Sequence, residues 1–130
     1  MDPRTKYRES KLLSWTRIDM LLLIYESAIE SLDRGVHLLQ TGQTAEMPMA
    51  RIDAQRKILL ITDGLAIDTD PTAVHIMNIC VFILDQINSD SVENWQTSVK
   101  LLETIHEGFQ EIAEEAREME RTGKIPNLVL

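Results

Sequence analysis

The sequence predicts an all-α fold, an antiparallel up-down-up-down bundle of four helices with a short N-terminal segment packed on it. Apolar residues recur every third or fourth position in four long segments. Turn and capping signals divide these segments, and none shows the alternation of a half-buried strand. A chain of 130 residues suits one domain with one core. We therefore predict a single domain over residues 1–130, with an N-terminal segment at 1–15 and a flexible tail at 124–130.

The first helix is predicted over residues 17–40. Thr16 and Asp19 have the spacing of a capping box, and Gly42 closes the helix. Its residues 20–32 read MLLLIYESAIESL, which is more apolar than one core-facing stripe requires. We expect the surplus to support the ends of neighbouring helices. The residues expected at the bundle seam are Leu21, Ala28 and Leu32, with Met20, Ile24 or Tyr25 at its margins.

The second and third helices are predicted over residues 48–63 and 71–87. Gly64 ends the second helix, as expected of a glycine after the last periodic residue. Asp70 is the expected N-cap of the third helix, and Pro71 suits its first position because that residue's N–H needs no partner there.

The fourth helix is predicted over residues 91–121. Asp90 and Glu93 offer an acidic cap at its start, and Gly123 with Pro126 ends it. With three short links between four long helices, the pattern is typical of an antiparallel bundle.

Composition and charge exclude several classes of partner. The chain is 44% hydrophobic and 26% charged, as ordinary globular domains are, and its net charge of −8 repels phosphate backbones and anionic lipid surfaces. Its longest apolar run is too short to span a bilayer. Residues 1–10 contain no signal-peptide core. We therefore expect a cytoplasmic protein that binds neither nucleic acid nor membrane.

Few residues of the sequence are candidates for catalysis or metal binding. Cys80 is the single cysteine and lies on an apolar helix face, which favours a buried structural thiol. Glu103 and His106 form an E-x-x-H pair, but di-iron bundles need two such pairs and two further glutamates. The three histidines are scattered, and each is expected at the surface. We predict no catalytic residue, no metal site and no cofactor.

The second and third helices carry more apolar surface than a bundle core needs. On the third helix the apolar residues cover an arc of roughly 220°, against a usual stripe of about 100° or somewhat more. Such an excess usually marks an interface. Either a partner occupies it, or the terminal segments of the chain cover it. The residues predicted to bind a partner are Ile52 and Leu59 on the second helix and Ile79, Phe82 and Ile83 on the third.

Two stretches of the sequence resemble a known family. Residues 22–29 read LLIYESAI and resemble the L-L-x-Y-D-G-A-I run of the FliS family, the flagellin export chaperones. Residues 52–55 read IDAQ and are followed by Ile58, Ile61 and Leu65, similar to that family's I-x-K-A-Q-x-x-I-x-x-L-x-x-x-L run. The order and spacing of these runs match over nearly the whole chain.

Other positions agree with the family pattern only in part. Tyr7 sits where the family often has an N-terminal tyrosine, and residues 76–88 occupy the place of a third family run. Met77 and Ile79 stand where that run has two tyrosines, and Glu-Ser at 26–27 replaces Asp-Gly. The chain thus resembles a divergent member.

The resemblance implies a cytoplasmic chaperone without catalytic activity. Its client would be the disordered C-terminal segment of flagellin, bound as short helices in apolar grooves, so that premature polymerisation is prevented and secretion is aided. Components of the export apparatus are further implied partners, and Tyr7 is expected near the client groove. The alternative left open is a structural bundle whose apolar patch is a homo-oligomer interface.

Overall fold

The computed structural model describes residues 17–123, which fold into helices joined by short links. These are α1 (Arg17–Gln40), α2 (Met47–Asp63), α3 (Pro71–Gln86) and α4 (Val92–Arg121), with a short 3₁₀ turn at Thr44–Glu46 before α2. No strand occurs within residues 17–123, so the all-α prediction is confirmed. The predicted Thr16 cap, Tyr7, the packed N-terminal segment and the tail lie outside the described residues.

The end of α1 is set by a glycine, as predicted. Gly42 has a φ of 72°, a left-handed conformation that other residues adopt only at a cost. The Gln43 N–H donates to the Leu38 carbonyl at 2.8 Å and the Gly42 N–H to the Leu39 carbonyl at 3.3 Å. This is the Schellman arrangement, which satisfies carbonyls that the helix itself leaves free.

The starts of α3 and α4 are both capped by side chains. Asp70 accepts a hydrogen bond from the Thr72 N–H at 2.8 Å, and Pro71 follows it, as predicted. For α4 the cap is Ser91 and not the predicted Asp90, because Ser91 has extended backbone and its hydroxyl accepts from the Asn94 N–H at 3.2 Å.

The four helices form an antiparallel ring. The most extensive packing is that of α1 against α4 and α2, while α3 completes the ring between α2 and α4. At one end of the α1–α4 pair, the Arg17 N–H donates to Glu120 at 2.7 Å. At the other end of that pair, Gly35 faces the ring of Trp95. The start of α1 thus lies beside the end of α4, and the end of α1 lies beside the start of α4. The two helices are therefore antiparallel, as the predicted topology requires.

The start of α2 is joined to the end of α3 by one arginine. The Arg51 Nε donates to the carbonyl of Ile87 at 2.7 Å, and its guanidinium pairs with Asp90. Because the two helices are antiparallel neighbours, this contact holds the α3–α4 link against the N-terminal half of α2.

The apolar run of α1 is partly core and partly surface. Leu21, Ala28 and Leu32 are buried, as predicted for the bundle seam. Tyr25, expected at the margin, is fully buried, and its ring packs against that of Phe109 with centroids 5.6 Å apart. The remaining surplus is exposed in part, since Met20 and Leu23 are each 47% exposed.

No helix within residues 17–123 is both long and apolar enough to cross a membrane.

Candidate functional site

The outer surfaces of α2 and α3 carry large apolar side chains that nothing in the described chain covers. On α2, Ile52 is 41% exposed and Leu59 is 48% exposed, on the side opposite the buried Ala54, Ile58 and Ile61. The exposed apolar residues of α3 are Val74 at 42%, Val81 at 57% and Phe82 at 46%. Each of these side chains loses the stabilisation that burial of apolar surface provides.

The exposed residues of α3 lie on two different sides of its buried stripe. The buried residues Ile76, Cys80 and Ile83 define that stripe. At about 100° per residue, Val74 and Val81 fall on one side of it. By the same rule, the half-buried Ile79 and the exposed Phe82 fall on the other side.

The side of α3 that carries Val74 and Val81 borders α2. Val74 lines a shallow cavity together with Ile67, Asp68 and Thr69 of the link that leads from α2. Since Val81 lies two turns further along the same row, it flanks the outer surface of α2. Ile79 and Phe82 consequently lie on the side towards α4. We call the surface formed by Ile52, Leu59, Val74 and Val81 the α2–α3 face.

The structure therefore separates the residues predicted to bind one partner. Ile52 and Leu59 belong to the α2–α3 face, whereas Ile79 and Phe82 lie across α3 from it. Ile83 is fully buried, so it is a core residue and not part of an exposed surface. Its spacing of three and seven residues from Cys80 and Ile76 puts it on the buried stripe of the helix.

Val74 and Val81 were not among the predicted partner-binding residues. The sequence signal for them was present, because both lie within the wide apolar arc of the third helix. A helical wheel of α3 alone does not show where the neighbouring helices lie. Their positions decide which end of the apolar arc faces α2.

A polar cluster joins α1 to α2 on the side of α2 that faces α1. The Ser31 hydroxyl donates to Asp53 at 2.7 Å, and the Lys57 Nζ donates to the same hydroxyl oxygen at 2.6 Å. Lys57 and Asp53 also form an ion pair at 3.4 Å. The hydrogen bond from Ser31, with the nearby charge of Lys57, holds the pKa of the Asp53 carboxyl below its usual value.

This cluster resembles a serine–lysine dyad in composition but not in geometry. A lysine that acts as a base must accept the serine proton, whereas here Lys57 donates to Ser31 and pairs with Asp53. Ser31 is also only 4% exposed, which denies a substrate access to its hydroxyl. The cluster is best explained as a polar connection between two helices.

The E-x-x-H pair is not arranged as a metal site. Glu103 is exposed, whereas His106 lies between α4 and α1 with its Nε2 3.4 Å from Glu26. The prediction that His106 is a surface histidine is wrong, because its side chain is 12% exposed and α1 covers it. Over the described part of the chain, no group of three or more His, Cys, Asp or Glu side chains could hold a metal ion.

The single cysteine is buried, as predicted. Cys80 is fully buried in the core beside Ile76 and Ile83. Burial raises the pKa of its thiol to about 11, because the thiolate would lose its hydration there. A thiol in this state is a poor nucleophile at neutral pH.

Comparison with known proteins identifies no relative. No family model, no curated protein and no solved structure matches the chain. The resemblance to the FliS family rests on the residue patterns alone.

Proposed function

We propose that this chain is a non-catalytic binding protein, an export chaperone of the FliS kind that holds the C-terminal segment of flagellin on the α2–α3 face. The observation that carries the proposal is the row of exposed aliphatic side chains on that face, at the positions Ile52, Leu59, Val74 and Val81. The identity of the client rests on the residue patterns shared with that family.

The dimensions of the face suit an amphipathic helix. Ile52 and Leu59 are seven residues apart on one helix, and Val74 and Val81 are seven residues apart on the other, so each pair spans about 10 Å. A client helix with apolar residues at every third or fourth position would place them between the two rows. Such a client buries its own apolar stripe and covers that of the chaperone.

The rigidity of the surrounding helices favours binding without large rearrangement. Arg51 ties the start of α2 to the end of α3, and the cluster of Ser31, Asp53 and Lys57 ties α2 to α1. A face that is held in place loses little conformational entropy when a partner docks. In this proposal the ordering cost falls mainly on the disordered client.

A cytoplasmic location and contact with the export apparatus belong to the same proposal. Both are what the resemblance implies, since a flagellin chaperone acts before its client enters the secretion channel.

Calorimetric titration with a C-terminal peptide of flagellin from the same cell tests the proposal. Leu59→Asp and Val81→Asp should each weaken binding about tenfold or more, because truncation or charging of a central apolar contact often costs 1 to 4 kcal/mol. Phe82→Asp is the matched control, since Phe82 is as exposed as Leu59 but lies on the other side of α3. Thermal melts of all three variants check that the fold is kept.

Two other outcomes of the titration would contradict the proposal in different ways. Unchanged affinity for Leu59→Asp and Val81→Asp with a loss for Phe82→Asp would move the client to the side of α3 that carries Ile79 and Phe82. No binding of the peptide by the unmodified protein would refute the flagellin proposal.

A further inference from the structure

The outermost row of α2 carries a second apolar patch that extends beyond the α2–α3 face. Leu60 is 52% exposed next to Leu59, and Ile67, in the link after α2, is 45% exposed. Ile52 lies near the other end of the same helix. Within residues 17–123 no element packs on this row, so no described residue shields its apolar side chains from water.

Two charged residues interrupt the row at symmetric positions. Arg56 precedes the pair Leu59–Leu60 and Asp63 follows it, at equal distances along the helix, and both are exposed. Neither forms an ion pair with another residue in the described part of the chain. A basic and an acidic residue placed equally far from a central apolar pair are complementary to the same helix running in the opposite direction.

We propose that the partner of this row is a second copy of the chain, docked so that the two α2 helices pack antiparallel about a two-fold axis beside Leu59 and Leu60. In this arrangement Leu59 packs against Leu60 of the partner subunit, and Arg56 pairs with Asp63 of the partner subunit, twice by symmetry. A parallel pairing would set Arg56 against its own copy, which like charges disfavour.

The small area of this row limits the affinity of the dimer. α2 has 17 residues and is about 25 Å long, so one helix pair buries a few hundred Å² on each copy. Stable interfaces bury about 800 Å² on each partner. The dimer is therefore weak and dissociates on dilution.

Sedimentation equilibrium of the full chain, from micromolar to near-millimolar concentration, tests the proposal by charge reversal. Arg56→Asp and Asp63→Arg should each weaken dimerisation about tenfold or more, because each change turns two attractive contacts into repulsive ones. An equimolar mixture of the two variants should dimerise again, since each contact in the mixed dimer then joins opposite charges. Glu115→Arg, at an exposed site on α4, makes the same charge change as Asp63→Arg and should leave dimerisation unaltered.

Three results would overturn the inference. The first is a monomer at every concentration, which would assign the row to a different protein or to the chain's own terminal segments. The second is a dimer that neither reversal weakens, and the third is a mixture that fails to restore association. Ile52 and Leu59 belong to both surfaces, so the dimer and the bound client compete for them. The charge reversals still test the dimer separately, because Arg56 and Asp63 are not part of the α2–α3 face.

Discussion

Gly35 provides a sharp test of how α1 packs against α4. A Cβ added at Gly35 would collide with the ring of Trp95, with two ring atoms well inside van der Waals contact and a third, Cη2, at 3.0 Å. The ring has little freedom to move, because Trp95 is fully buried and its Nε1–H donates to the Ser89 carbonyl at 2.9 Å. Gly35→Ala should therefore force either the ring or the two helices apart.

The expected cost follows from three opposing effects. Alanine is favoured over glycine in a helix by about 1 kcal/mol. Overpacking of a rigid core contact costs about 3 kcal/mol, and displacement of the indole from its hydrogen bond about 1 kcal/mol more. We expect Gly35→Ala to lower the free energy of unfolding by about 3 kcal/mol, which corresponds to a fall in Tm of about 10 °C for a domain of this size.

Urea denaturation followed by circular dichroism measures this change, with Gly108→Ala as the matched control. Gly108 is also inside a helix, but a Cβ there meets nothing within 4 Å, so alanine should stabilise the fold by up to about 1 kcal/mol. If Gly35→Ala were as stable as the unmodified protein, the close approach of α1 to Trp95 would be incorrect.

Two further predictions concern the polar cluster and the buried thiol. Ser31→Ala removes both hydrogen bonds of its hydroxyl and should lower the free energy of unfolding by about 1 to 2 kcal/mol in urea. Because the pKa of Asp53 is lowered in the folded chain, the ionised carboxylate stabilises the fold above the ordinary carboxyl pKa of 3.8, and this stabilisation is lost as pH falls through the lower folded value. Ser31→Ala should flatten this dependence of the free energy of unfolding on acid pH. An unchanged dependence would contradict the proposed cluster. The pKa of Cys80 is raised from 9.0 to about 11, so the protonated thiol contributes fully to the free energy of unfolding below pH 9. That contribution is lost as pH rises towards 11. Cys80→Ala should remove the loss of stability between pH 9 and pH 10, below the range in which Tyr25 also titrates, and urea midpoints that fall equally in both proteins would argue against a buried thiol.

The sequence by itself determined where α1 ends and where α3 begins. Gly42 stops α1 and Asp70 with Pro71 starts α3 through hydrogen bonds between residues at most five positions apart. Such local bonds depend on residue type and spacing, both of which can be read directly. The buried seam of α1 was predicted on the same basis, because a period of 3.6 residues fixes which side chains share a face.

Only the tertiary structure decided which faces meet. Gly35 and Trp95 are 60 residues apart, so neither the close approach nor the need for glycine there has a local signal. The same holds for the partial burial of His106 beside α1 and for the separation of Val81 from Phe82 on opposite sides of α3. The physical reason is that a helical wheel gives angles about one axis, whereas the environment of a side chain depends on where the neighbouring axes lie.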